Sequence, residues 1–314
     1  MHPETEQRLA TLEVILQKNI RYYLPCHENG ANLQPYVWNT NIQDKFTSLN
    51  LITSEGWIKE TDPEVIFTNW LWSEQNGLAS QIIYLYKKDK ANILLDEITK
   101  NTRYQHYYNL LSLLIDNLEN LKAFNISCND NYSLSLVVGK IPDRQRWICL
   151  STTVPQETPE FIKDLIQCSP LIEEVSSDLK IENLSKVETQ INDILMQLDT
   201  INIYGYYDGG YCHTHKFKVI CTSEITQEAA VNKALLSSGL VEIYNFEKFT
   251  IQGRGGWGFD NYEESLTKFL NAVFPDLLLY RFCFWDYEHL YLLGKTGDRD
   301  FVGVALHSQF TYNP

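Results

Sequence analysis

Tyr132-Ser-Leu-Ser-Leu-Val-Val-Gly139-Lys140-Ile-Pro-Asp143-Arg144 recurs as Tyr287-Glu-His-Leu-Tyr-Leu-Leu-Gly294-Lys295-Thr-Gly-Asp298-Arg299, at a constant offset of 155 residues. After a one-residue gap, Trp147-Ile-Cys-Leu-Ser lies over Phe301-Val-Gly-Val-Ala. Each block reads as an apolar strand, a turn carrying Asp and Arg beside Pro or Gly, and a second apolar strand. A helical pattern precedes each block. Tyr104, Tyr107, Tyr108, Leu111, Leu114, Ile115 and Leu118 recur at helical spacing before the first hairpin. Tyr262, Leu266, Phe269, Leu270 and Val273 do so before the second, ending ahead of Pro275. An offset this long exceeds a solenoid repeat and suits a domain copied once.

The natural cut falls beside Val154-Pro155-Gln156-Glu157-Thr158-Pro159, where two prolines interrupt any regular element. This predicts two tandem domains, 1–157 and 158–314. Their charges differ: the first half carries 14 basic and 18 acidic residues, the second 12 and 22. The front parts are less alike. Leu9, Leu12 and Leu16 share a helix face, and Arg21 to Trp38 is strand-like. Helical patterns come next near 160–174, 184–198 and 227–237, with an alternating stretch from Tyr204 to Thr222 around Asp208-Gly209-Gly210. Strands and helices mix without a βαβ rhythm, so the expectation is an α+β fold with helices packed on antiparallel sheets.

Composition narrows the function classes. A formal net charge of −14 lacks the cationic field that drives binding to nucleic acid phosphates, and it supplies no polybasic membrane anchor. No apolar run approaches the length that spans a bilayer, and the first residues, Met1-His2-Pro3-Glu4-Thr5-Glu6, carry acids where a secretory signal carries bases. Seven widely spaced cysteines without a CxxC pair read as free thiols of a reduced, cytoplasmic protein.

The spellings that could carry chemistry are sparse. Gly253-Arg-Gly255-Gly-Trp-Gly258 satisfies G-x-G-x-x-G, but the segment after Gly258 reads as a helix and an antiparallel hairpin. A glycine-rich surface loop is therefore expected in place of a dinucleotide site. Cys212-His213-Thr214-His215 holds three metal-ligand types; strand alternation separates Cys212 from His213 and His215, and no second cluster supplies further ligands. No nucleophile elbow, H-E-x-x-H or P-loop occurs. The expectation is a non-enzymatic chain without a cofactor, with a metal or ligand site at Cys212, His213 and His215 as an alternative.

The second block resembles the C-terminal half of the nuclease A inhibitor-like family. The resemblance is carried by Tyr280-Arg281, Leu292-Leu293-Gly294-Lys295-Thr296, Phe301-Val302-Gly303-Val304 and the upstream run Trp257-Gly-Phe-Asp260-Asn-Tyr-Glu263-Glu264. In the first block, Leu150-Ser151-Thr152-Thr153-Val154 through Glu157-Thr158 is similar to that family's closing strand and end. The resemblance implies an α/β/α sandwich for each copy and inhibition by plugging a nuclease's active site. It assigns partner binding to Trp257, to Asp260 beside it, to Glu28 in the first copy and to Asp208 in the second. Thr158 departs from the family in lying mid-chain, and the first copy has no tryptophan matching Trp257. The implied partner is a basic protein, with a metal-dependent nuclease the leading candidate; an interaction scaffold or an immunity protein against another toxin is the alternative. Carboxylates offered to a divalent ion or to phosphate-binding arginines imitate a scissile phosphate, and an acidic surface steers the encounter.

Overall fold

The computed structural model describes residues 1–23, 30–76, 95–129, 132–142, 144–154, 168–170, 184–207, 211–246, 258–259, 264–284, 287–297 and 299–309. In chain order the described elements are α1 (Pro3–Leu16), β1 (Arg21–Tyr23), β2 (Ala31–Asn32), β3 (Gln34–Trp38), α2 (Thr40–Gln43), α3 (Ser48–Ser54), β4 (Ile58–Thr61), α4 (Pro63–Asn76) and α5 (Glu97–Asn117). They continue as β5 (Glu119–Ile126), β6 (Leu134–Ile141), β7 (Arg146–Thr152), β8 (Cys168–Pro170), α6 (Lys186–Gln197), β9 (Ile201–Tyr207), β10 (Tyr211–Phe217), β11 (Val219–Glu224) and α7 (Gln227–Ser237). The last are β12 (Val241–Phe246), β13 (Gly258–Phe259), α8 (Glu264–Val273), β14 (Leu277–Phe284), β15 (Tyr287–Thr296) and β16 (Asp300–Gln309). The fold is α+β, and its described strand pairs are antiparallel.

The chain divides into two compact units. One comprises Met1–Ser54, Glu157–Glu173 and Val241–Pro314; the other comprises Glu55–Gln156 and Glu174–Leu240. These are not the consecutive stretches 1–157 and 158–314 that the proline pair suggested. The reason lies in strand pairing. β3, from the first half, pairs with β16 in a six-stranded sheet of order β3-β16-β15-β14-β12-β8. β11, from the second half, pairs with β7 in a five-stranded sheet of order β11-β7-β6-β5-β4. Long-range edge pairing leaves no mark on local periodicity, so a boundary read from composition misses it. The helical pattern near 160–174 also needs correction where it is described, because Cys168–Pro170 forms β8 against β12.

The repeated segment itself is present twice, as a helix followed by three antiparallel strands. α5-β5-β6-β7 belongs to the unit built around Glu55–Gln156, and α8-β14-β15-β16 to the unit that closes the chain. Register repeats as well: Lys140 pairs with Trp147, and Lys295 with Phe301. The one-residue gap is the difference between hairpins closed by Ile141–Arg146 and by Thr296–Asp300. The shared glycine has one use in both places. A Cβ on Gly139 would lie 2.9 Å from Leu118 carbons, and a Cβ on Gly294 would lie 2.0 Å from the Phe274 ring. In each copy the side chain just past the helix packs into the space the glycine leaves.

Each sheet carries helices on its faces. In the five-stranded sheet, Val137, Ile148, Leu150 and Cys221 meet Ile66 and Trp70 of α4, Tyr107, Leu110 and Leu114 of α5, and Ile191 of α6. On the opposite face, Thr222 Oγ1 donates to the Ala230 carbonyl of α7, beside buried Ala234 and Leu235. In the six-stranded sheet, Leu279, Leu292, Val302 and Val304 are covered by Leu12 and Leu16 of α1 and by Leu266 and Leu270 of α8. The other face packs Tyr280 and Phe301 against Phe46, between α2 and α3.

Caps explain several helix starts. Ser185 and Glu188 form a capping box at α6, Asp96 accepts from Thr99 N–H at α5, and Thr226 accepts from Ala229 N–H at α7. At the hairpin end of β16, buried Asp300 accepts from the Thr40 and His2 N–H groups and from the Thr40 and Thr5 hydroxyls. Burial alone would raise the Asp300 pKa, but these donors hold it below the ordinary carboxylate range.

Candidate functional site

The small sheet β13-β1-β2 is where three of the predicted partner-binding positions come nearest to described chain. Tyr22 pairs with Phe259 and Tyr23 with Gly258, while Tyr22 also pairs with Ala31. Trp257 precedes Gly258, Asp260 comes directly after Phe259, and Glu28 belongs to the connection from β1 to β2. One ladder thus joins the segments that flank Trp257, Asp260 and Glu28, which are far apart in sequence. The three residues themselves lie outside the described residues. Tyr22 packs against the apolar cluster of α1 and α8, and burial pushes its phenol up to about 12, so it stays neutral. Asp208 also lies outside the described residues, between Tyr207 and Tyr211, which are register partners at the end of the β9–β10 hairpin.

The Cys212-His213-Thr214-His215 stretch forms part of β10, with Cys212 opposite Tyr206, His213 opposite Gly205 and His215 opposite Ile203. The side chains at 212–215 are outside what the structure describes. Among the described residues no group of three or more His, Cys, Asp or Glu is placed to hold a metal ion. The glycine-rich stretch 253–257 is likewise outside them, but its frame is informative. β12 and β14, which flank it in sequence, are antiparallel neighbours. A dinucleotide fingerprint needs parallel strands joined by a crossover helix, so among the described residues the G-x-G-x-x-G spelling has no such setting.

Sequence reasoning missed three polar arrangements inside the units. In the first, Arg103 of α5 donates from Nε and Nη2 to Glu74 of α4 at 2.8 and 2.7 Å. Tyr107 donates its hydroxyl to Glu74 at 2.5 Å, and Arg103 Nη1 reaches the Asp199 carbonyl at 3.1 Å. Burial alone would lower the Arg103 pKa, but the hydrogen bonds and charge of Glu74 raise it. A signal was available: Arg103 and Glu74 occupy core positions of their helices, in line with Tyr107-Leu110-Leu114 and Ile66-Phe67-Trp70.

In the second arrangement, Arg281 on β14 bridges two carboxylates. Its Nη1 donates to Glu242 on β12 at 2.8 Å, its Nε to Glu288 on β15 at 3.1 Å, and its Nη2 also to Glu288. Tyr244 donates its hydroxyl to Glu242 at 2.8 Å. Here a guanidinium fork is already saturated by carboxylates, which suits a structural lock better than recognition of an incoming anion. In the third, His289 and His307 are direct cross-strand partners on β15 and β16, in contact through their Nδ1 atoms. Phe284 lies edge-on to His289, and Tyr291 edge-on to His307. Burial first, and the neighbouring His307 second, push the His289 pKa down to about 3.

Three of the described thiols are poor nucleophile candidates. Cys149, Cys221 and Cys283 are buried and free, and burial pushes all three pKa values up. No family model, curated protein or solved structure gives a significant match to this chain.

Proposed function

We propose that this chain is a non-enzymatic binding protein that obstructs the active site of a basic protein partner, of the metal-dependent nuclease kind. The observation that carries the reading is the helix and three-strand segment used twice, with matched register and a glycine serving the same packing role in each copy. That segment is the part of the sequence with the inhibitor resemblance. The net charge of −14 adds long-range attraction to a nuclease whose substrate groove is basic. Trp257 acts as an aromatic anchor, and Asp260, Glu28 and Asp208 supply carboxylates that stand in for phosphate. The free thiols suit a reducing compartment, the cytoplasm among them.

The test is a titration of several metal-dependent, sugar-nonspecific nucleases with the full chain. Consecutive halves are unsuitable, since cutting near residue 157 separates β3 from β16 and β11 from β7. Stoichiometric inhibition of at least one nuclease supports the reading. Undiminished activity of all of them at a large excess of the chain would favour the scaffold or immunity-protein alternative.

A further inference from the structure

Both units are built from one order of elements. The first has a front part of helix, hairpin, edge strand and helix (α1, β1–β2, β3, α3), then β12, α8, β14, β15 and β16, with α2, β8 and β13 as additions. The second has the front part α6, β9–β10, β11 and α7, then β4, α5, β5, β6 and β7, with α4 as an addition. Register agrees from edge to edge of the two sheets. Trp38 lies opposite Phe301 and Tyr36 opposite Gly303, as Glu224 lies opposite Trp147 and Thr222 opposite Cys149. At the far edge, Ile58, Ile126 and Leu134 lie side by side as Val241, Phe282 and His289 do. The join after the front part is shared too. α3 and α7 each end two residues before a glycine at positive φ, Gly56 (72°) and Gly239 (79°), and the next strand starts two residues after it. Yet in each unit the front part comes from one half of the sequence and the rest from the other.

We propose that the chain is a duplicated domain whose copies have exchanged their front segments, Met1–Ser54 for Glu174–Leu240, so that each copy's sheet is completed by the other. The outer edges of β7 and β16 are then docking sites of one kind, and each takes the other copy's front segment. Buried polar groups select the exchanged arrangement over the direct one. Thr5 and Glu188 are each the third residue of their helix, α1 and α6, and both are fully buried. Asp300 and Arg146 also share a position, just before Phe301 and Trp147. In the exchanged chain Thr5 Oγ1 donates to Asp300 at 3.2 Å, and Arg146 Nη1 donates to Glu188 at 2.9 Å. Direct pairing would set the Glu188 carboxylate against buried Asp300 and leave Arg146 facing a threonine. Two like charges would be buried together, which works against the wrong partner. The exchange concerns only this chain's own segments, so it holds whichever protein the chain binds.

Two measurements on the full chain test it. A specific protease site is inserted between Gln156 and Glu157 and cut in place, under native conditions. The nicked protein should elute with the intact 36.5 kDa chain and part only in urea, because two reciprocal edges hold it together. The second measurement is hydrogen exchange of the uncut Trp38→Ala variant. Trp38 belongs to the first front segment, is 1% exposed and packs edge-on against Phe46 at 5.3 Å. Its loss should speed exchange across β14–β16 by about a hundredfold, or abolish protection there, and leave β5–β7 at native rates. Cutting that releases two folded particles of half the mass would overturn the proposal. So would faster exchange in β5–β7 with β14–β16 unaffected, the response of two direct, consecutive domains.

Discussion

Gly294→Ala probes the packing on which the repeat depends. The new Cβ would lie 2.0, 2.3 and 2.8 Å from three carbons of Phe274, so the ring must retreat by more than 1 Å to reach ordinary contact. It has little room to do so. Phe274 is 3% exposed, Arg8 sits 5.0 Å over its ring centroid, and Phe269 meets it edge-on at 6.3 Å. Overpacking of this kind costs about 1–3 kcal/mol, and the upper half of that range is expected here. At the matching position, Gly139→Ala meets the Leu118 Cβ and Cδ1 at 2.9 Å and the Leu121 Cδ1 at 3.0 Å; the Cδ1 atoms can rotate away, and the Leu118 Cβ requires a small backbone shift, against a fully overlapping ring at Gly294. Its cost should be about 1 kcal/mol. A double-mutant cycle separates packing from strand propensity. In Phe274→Leu the ring is gone, and Gly294→Ala should become markedly cheaper, with a coupling of about 1 kcal/mol or more. Urea denaturation of the four proteins gives the numbers, monitored by tryptophan fluorescence and by circular dichroism. Additive effects, or a Gly139→Ala change costlier than Gly294→Ala, would refute this account of why both copies carry a glycine.

Other perturbations concern the buried polar groups. Arg103→Met leaves Glu74 buried with Tyr107 as its remaining donor in that arrangement, and should cost about 3–5 kcal/mol by urea denaturation. Glu74→Gln combined with Arg103→Met should recover part of that loss. The His289–His307 pair makes its unit acid-sensitive: a folded pKa lowered from 6.5 to about 3 means the stability is complete above pH 6.5 and falls as the pH drops through the window down to about 3. At about 1.4 kcal/mol per pKa unit, the loss amounts to a few kcal/mol. His289→Phe should flatten the stability profile between pH 6.5 and 4, whereas an unchanged slope would assign the sensitivity elsewhere. Asp300→Ala removes an acceptor for four donors and should destabilise the chain by about 2 kcal/mol, with earlier proteolysis near residue 40.

Local structure was legible where periodicity is strong. The pattern from Tyr104 to Leu118 falls on α5 and the residue just past it, although Tyr104, Tyr108 and Ile115 in it are exposed; Leu184 to Leu198 spans α6, and 227–237 coincides with α7. The two hairpins and even their one-residue difference in turn length can be read from the offset of the repeat. What the sequence hides is partnership across distance. The pairing of β3 with β16 and of β11 with β7 depends on which edges remain open after the hairpins form, and residues 34–38 or 219–224 carry no trace of it. The polar locks were hidden for a related reason. Glu74 and Arg103 read as ordinary helix charges until the helical phase places both on the buried face, and Arg281 and Glu288 look like strand residues until β12, β14 and β15 align. On the candidate site, alternation identified the β9–β10 hairpin around Asp208, but the ladder joining the segments beside Glu28 and Trp257 spans most of the chain.

The most direct measurement is equilibrium binding of the full chain to a catalytically inactive metal-dependent nuclease, at low and high salt, for the native sequence and for Trp257→Ala. The proposal predicts a one-to-one complex per binding face, weakened by salt and by loss of the indole. Absence of binding at tens of micromolar to every nuclease tested, or binding indifferent to both changes, would contradict it.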